Sequence, residues 1–189
     1  MKTRKLLLVL VTFLMVNGLL AQENTVWFDS NWKTTVEGSA MYYRPNPEKT
    51  PNGYWLVDYY TSGVMQMEGL SRALENDIFE GQIKWYFENG KIHQTIFYSE
   101  GVLNGSRKIY YRSGKLNNER YYVMGKLKGD YVEFYESGAK KKEGSYKNGE
   151  KSGKWHVFYE DGEVKVTGMY EKGQKVGEWK QFYYDGSYE

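Results

Sequence analysis

Glycine returns at a fixed interval through most of the chain, and that interval restricts the fold to a tandem array of one small unit. Gly81, Gly105, Gly129, Gly153 and Gly177 are spaced by 24 residues. Gly90, Gly114, Gly138, Gly162 and Gly186 keep the same spacing, and so do Gly101, Gly125, Gly149 and Gly173. With the first glycine of each unit as position 0, positions 5 and 6 are always aromatic: Tyr86-Phe87, Tyr110-Tyr111, Phe134-Tyr135, Phe158-Tyr159 and Phe182-Tyr183. Positions 8 and 9 read Asn89-Gly90, Ser113-Gly114, Ser137-Gly138, Asp161-Gly162 and Asp185-Gly186. Asn-Gly or Asp-Gly between aromatic runs signals a hairpin, because these residues tolerate φ > 0. The expectation is one β-hairpin per unit, with strands over positions 1–7 and 10–17. A two-residue type I′ turn at each of Gly90, Gly114, Gly138, Gly162 and Gly186 would join them.

That turn implies a register. Position 6 would face position 11, giving Phe87/Ile92, Tyr111/Leu116, Tyr135/Lys140 and Tyr159/Val164. Position 2 would face position 15, giving Ile83/Ile96, Arg107/Arg120, Tyr131/Gly144 and Trp155/Gly168. In the last two pairs an aromatic faces a strand glycine and can cover it. Arg107 opposite Arg120 is a like-charge pair and is expected to splay toward solvent or a carboxylate.

Units are expected to start near residues 53, 81, 105, 129, 153 and 177, so that residues 53–189 form the repeat domain. The first unit, with Tyr59-Tyr60, Ser62-Gly63 and Gly69, is longer than the others. A bulge near residues 56–58 would restore Trp55 opposite Gly69, and the stretch 71–77 holds the rest of the insertion. Residues 23–52 read as an N-terminal cap with a degenerate half-repeat over 38–44 and a linker containing Pro45, Pro47 and Pro51. Trp27, Phe28 and Trp32 are placed to cover the first edge. At the other end the second strand of the last unit is missing, so 178–184 is expected to be an unpaired edge that favours self-association.

Residues 1–22 differ from the rest. Lys2, Arg4 and Lys5 precede an apolar run from Leu6 to Val16, and Ala21 marks a cleavage point. This is the pattern of an export signal, and it places the protein in the periplasm, at the outer envelope or outside the cell. With no cysteine in the chain, a lipoprotein anchor is excluded. Removing those three cations turns the net charge of +2 into −1, so a nucleic-acid partner is not expected. A mean hydropathy of −0.74 and 19 tyrosines suit a thin sheet rather than a thick core.

The segment Gly153-Lys154-Trp155-His156-Val157-Phe158-Tyr159-Glu160-Asp161-Gly162, together with Tyr146-Lys147-Asn148-Gly149-Glu150-Lys151-Ser152-Gly153, resembles the MORN repeat in its bacterial variant form. The resemblance covers roughly residues 53–189. It implies an all-β fold: an elongated, twisted antiparallel sheet of serial β-hairpins. It implies no catalytic residues. Similar bacterial chains often carry the label of a YwqK-type antitoxin, which fits poorly with an export signal.

The residues themselves offer little chemistry. His93 and His156 lie in different units without metal-ligand spacing, and neither thiols, a nucleophile elbow nor a phosphate loop is present. No catalytic residue, metal or cofactor is expected, and the chain is read as a non-enzyme. The lysines at 140, 141, 142, 147, 151 and 154 read as a solvated strand surface or a patch for anionic groups. Adjacent positions 5 and 6 point to opposite faces, so each face carries an aromatic row. The candidate binding surface is the row Phe87, Tyr111, Tyr135, Tyr159 and Tyr183, extended by Trp85, Trp155 and Trp179. Its expected partner is a protein, with a glycan or lipid surface, or a toxin bound by an immunity-type inhibitor, as alternatives.

Overall fold

A computed structural model describes residues 25–189; the segment read as an export signal lies outside the described residues. The strands are β1 (Val26–Phe28), β2 (Thr34–Thr35), β3 (Tyr42–Arg44), β4 (Glu48–Thr50), β5 (Gly53–Tyr60), β6 (Met65–Ser71), β7 (Phe79–Tyr86) and β8 (Ile92–Ser99). They continue as β9 (Val102–Tyr110), β10 (Leu116–Val123), β11 (Lys126–Phe134), β12 (Lys140–Lys147), β13 (Glu150–Phe158), β14 (Val164–Glu171) and β15 (Gln174–Gln181). All belong to one antiparallel sheet. From β5 to β15 every strand pairs with the next in sequence, and beyond β5 the order runs β3, β1, β2. The expected serial-hairpin sheet is therefore the fold.

β3 and β4 share one side of β5, with Tyr42 opposite Tyr60 and Glu48 opposite Trp55. Pro45 and Pro47 lie between them. Proline has no amide hydrogen for a ladder, so pairing lapses at that point. Arg44, at the end of β3, donates there to Asp58 of β5.

The turns differ from the expected type. At the first regular tip, the Phe87 amide donates to the Lys91 carbonyl and the Gly90 amide to the Phe87 carbonyl, each at 2.8 Å. Only Gly90 of this tip has a left-handed φ, +78°. This is a three-residue loop closing on a glycine bulge, not a type I′ turn. The same bond pair recurs at Gly63, Gly114, Gly138, Gly162 and Gly186. The tight turns sit at the opposite ends of the strands, between hairpins. Glu100-Gly101, Met124-Gly125, Asn148-Gly149 and Lys172-Gly173 have positive φ at both residues, as a two-residue type I′ turn requires.

The longer tip shifts the register beside it. Tyr86 faces Ile92, Tyr110 faces Leu116, Phe134 faces Lys140 and Phe158 faces Val164; position 5, not 6, meets position 11. A bulge on the returning strand then restores the count. Ile83/Ile96, Arg107/Arg120, Tyr131/Gly144 and Trp155/Gly168 are opposite one another as expected. The two arginines find amide oxygens rather than carboxylates. Arg107 donates to Gln94 Oε1 at 2.9 Å and Arg120 to Asn118 Oδ1 at 3.0 Å, with Arg120 also 5.5 Å from the Tyr131 ring centroid.

In the first unit Leu56, not Trp55, faces Gly69, because Tyr54 occupies the place of the first glycine. Its register shift lies beside the turn, as in the other units, so no bulge is needed at 56–58. The extra length all falls in the connection 72–78.

The far edge also differs from expectation. Residues 187–189 fold back onto the end of β15: Tyr183 N donates to Ser187 O at 2.8 Å, and Gln181 and Glu189 exchange backbone bonds at 3.1 Å. Within 178–184, the residues from Gln181 onward are thus engaged, and the open ladder is the body of β15.

The densest packing lies on one face of the sheet. Leu56 and Ile83 are fully buried and Met67 nearly so, with Phe79, Trp85 and Tyr98 packed against them. Trp155 forms a second centre at 3% exposure. Its ring meets Tyr131, Tyr146 and Tyr170 at centroid distances of 5.6, 5.3 and 5.8 Å.

Candidate binding surfaces

Three features compete as a site: the predicted aromatic row, the opposite face of the sheet, and a cavity at the N-terminal end.

The predicted row is mostly engaged in holding units together. The hydroxyls of Tyr111, Tyr135 and Tyr159 donate to the carbonyls of Phe134, Phe158 and Phe182 at 2.7, 2.8 and 3.0 Å. Tyr60 does the same to Tyr86 at 2.9 Å. Each of these four tyrosines thus ties its hairpin to the next. Phe87 has no hydroxyl; its ring lies 4.5 Å from His93 and 5.3 Å from the Arg112 guanidinium. Phe87→Tyr is expected to supply the missing bond to Tyr110 O and to stabilise by about 0.5–1.5 kcal/mol, read from urea unfolding.

The tryptophans serve packing too. Trp85 touches Phe79 and Tyr98. Trp155 lies over Gly144 and Trp179 over Gly168, where a Cβ would collide with the indole. The glycines are covered, as the residue pattern suggested, but the covering ring comes from the following unit rather than from the hairpin partner. Lys151 and Lys175 lie over Trp155 and Trp179 at 4.7 and 4.3 Å. Of the eight predicted rings, only Tyr183, at 43% exposure, counts among the exposed large hydrophobics. The sequence places these eight on one face; the structure spreads them along it as separate contacts rather than a common groove.

Half of the lysine stretch, Lys140, Lys141 and Lys142, is paired with carboxylates. Lys141 reaches Glu133 at 2.8 Å and Lys140 reaches Glu143 at 2.9 Å. Burial pushes the Glu133 carboxyl up, but bonds from Lys141 and Tyr131 outweigh it and hold the group below its usual range.

The opposite face carries what periodicity in the aromatic positions missed. Position 16 is Phe97, Tyr121, Ser145 and Met169, and Phe97, Tyr121 and Met169 are 38%, 49% and 45% exposed. Val102 and Met124 stand nearby at the tight-turn edge, 45% and 79% exposed. Met124 has φ +47°, unusual for an apolar side chain. A groove of about 490 Å³ beside Tyr121 is edged by Glu119, Lys128 and Asp130.

The N-terminal cavity, about 640 Å³, lies where the irregular parts of the chain meet. Val26 and Phe28 come from β1, Trp32 from the β1–β2 turn, Arg44 from the end of β3, and Leu74, Glu75 and Asp77 from the connection 72–78. Arg44 bonds Asp58 at 2.6 and 2.9 Å and Asp77 at 2.8 and 3.0 Å. Burial alone would lower the Arg44 pKa, yet the two carboxylates hold it above its ordinary value. Burial pushes Asp58 up, against the pull of Arg44. No sequence spacing links these residues.

Serial hairpins locked by inter-unit rings and hydroxyl bonds define a β-repeat protein. Residues 79–100, 103–124 and 127–148 match the family of the MORN repeat variant. This stretch of the chain consists of three consecutive MORN-variant repeats, and the same hairpin geometry continues on both sides of it. No curated protein matches the chain.

Proposed function

We propose that the chain is an exported, non-catalytic scaffold that binds a protein partner through the face bearing Phe97 and Tyr121 together with the tight-turn edge bearing Met124. The carrying observation is the exposure of these side chains at 38%, 49% and 79% on a sheet whose other face is occupied by its own packing. A contiguous exposed apolar patch rimmed by polar residues, unlike an isolated exposed side chain, marks an interaction site. The rim carries both signs, Glu119 and Asp130 beside Arg120 and Lys128. A mixed polar rim around an apolar centre suits a protein interface better than a surface of one charge, such as anionic headgroups. Export rests on the basic-then-apolar pattern of residues 2–16, and N-terminal sequencing of the protein recovered from the envelope or medium tests it.

The test of the surface is capture from the envelope fraction by the wild-type chain and by Tyr121→Ala/Met124→Asp. Loss of a specific captured protein, with the melting temperature unchanged, supports the reading. Equal capture by both chains, or binding only to vesicles or glycans, overturns it.

A further inference from the structure

We propose that the N-terminal cavity is a binding site for an organic cation, an alkylammonium or quaternary ammonium group seated against Trp32 and Phe28 and facing Asp77 and Glu75. This site is separate from the protein-binding face, and either can fail without the other.

The first argument is where the cavity lies. The chain keeps one repeat length from residue 81 onward and departs from it in the cap and in the connection 72–78. Both departures line this one cavity. Its volume and its mainly apolar walls, with a few convergent polar groups, are those of small-molecule sites.

The second is Trp32. In the turn Asp29–Lys33 the Asp29 amide donates to the Lys33 carbonyl at 2.9 Å and the Trp32 amide to the Asp29 carbonyl at 3.1 Å. This is the bond pair of the other hairpin tips. At Gly63, Gly90, Gly114, Gly138, Gly162 and Gly186 the left-handed residue is glycine; here it is tryptophan, with φ +60°. A bulky residue in that conformation is strained, and such strain is kept where a side chain has a task. The indole stacks on Tyr42 at 4.5 Å, lies 5.5 Å from Phe28, remains 41% exposed, and borders the cavity.

The third is charge. Arg44 is the cavity's own cation, but its guanidinium is committed to Asp58 and Asp77, with its side chain 10% exposed and Phe28 5.7 Å from it. One guanidinium against Asp58, Asp77 and the exposed Glu75 leaves the site with a net negative charge. An anion entering would meet carboxylates, whereas a cation gains both these and the aromatic faces.

The test is a titration of the full chain with choline, n-butylammonium and the neutral isostere 3,3-dimethylbutanol, read by chemical-shift changes of the indole N–H signals. Saturable binding of choline or butylammonium is expected, at least tenfold tighter than the neutral isostere. Trp32→Gly should weaken it at least tenfold, and Glu75→Gln about threefold. Trp32→Gly restores the residue found at the other tips, so its melting temperature should be unchanged or higher, and lost binding cannot then be ascribed to unfolding. Absence of saturable binding in the millimolar range, equal binding of the isostere, or undiminished binding by Trp32→Gly overturns the proposal.

Discussion

Trp155→Ala is expected to destabilise the C-terminal units by about 3–5 kcal/mol, the range for removing a large aromatic from a packed site. The indole is 3% exposed, touches three tyrosines, and covers Gly144, which has no side chain to close the hole. Among the described residues no second layer stands over this sheet to collapse into the space, so relaxation can recover little of the loss. Urea unfolding followed by far-UV circular dichroism measures it. Tyr121→Ala, which trims an exposed ring, should stay within about 0.5 kcal/mol. Equal effects of the two substitutions would contradict the assignment of one face to packing and the other to solvent.

Arg44→Ala should cost a similar amount for a different reason. It removes the partner of Asp58, whose side chain is 1% exposed, and leaves a carboxylate buried without a counter-charge. Breaking a buried pair in this way costs about 3–5 kcal/mol. Asp77, 34% exposed, can turn to water. The double substitution Arg44→Met/Asp58→Leu removes both charges and should recover most of the stability, because an apolar pair of similar volume is often as stable as the ion pair. A double variant as unstable as Arg44→Ala would show that shape, not charge, holds this corner.

The repeat length, the hairpins and the glycine-facing pairs were legible because all three recur, and recurrence reveals itself in one chain. The turn type was not. Asn-Gly suits a two-residue loop with both residues left-handed and equally a three-residue loop with glycine alone left-handed. The bulge that reconciles the longer loop with the distant register falls on His93, Asn117, Lys141 and Lys165, which are not of one residue type. Alternation groups the predicted rings into a row, but it says nothing about which of them donate to a neighbouring carbonyl or cover a neighbouring glycine. Phe97, Tyr121 and Met169 escaped notice because Ser145 interrupts them and their types differ. The N-terminal cavity was invisible for the opposite reason to the repeat: Arg44, Asp58 and Asp77 occur once each, and only the interruption of β-pairing at the two prolines brings them together.

The covering of Gly144 by Trp155 and of Gly168 by Trp179 points one way along the chain. The hairpins carrying Gly144 and Gly168 each leave a hole that the successor's indole fills. In a chain that emerges N-terminus first, such a hairpin can therefore close its own turn at once, yet its surface is finished only when the next has emerged. Consolidation of these units should trail emergence by one hairpin.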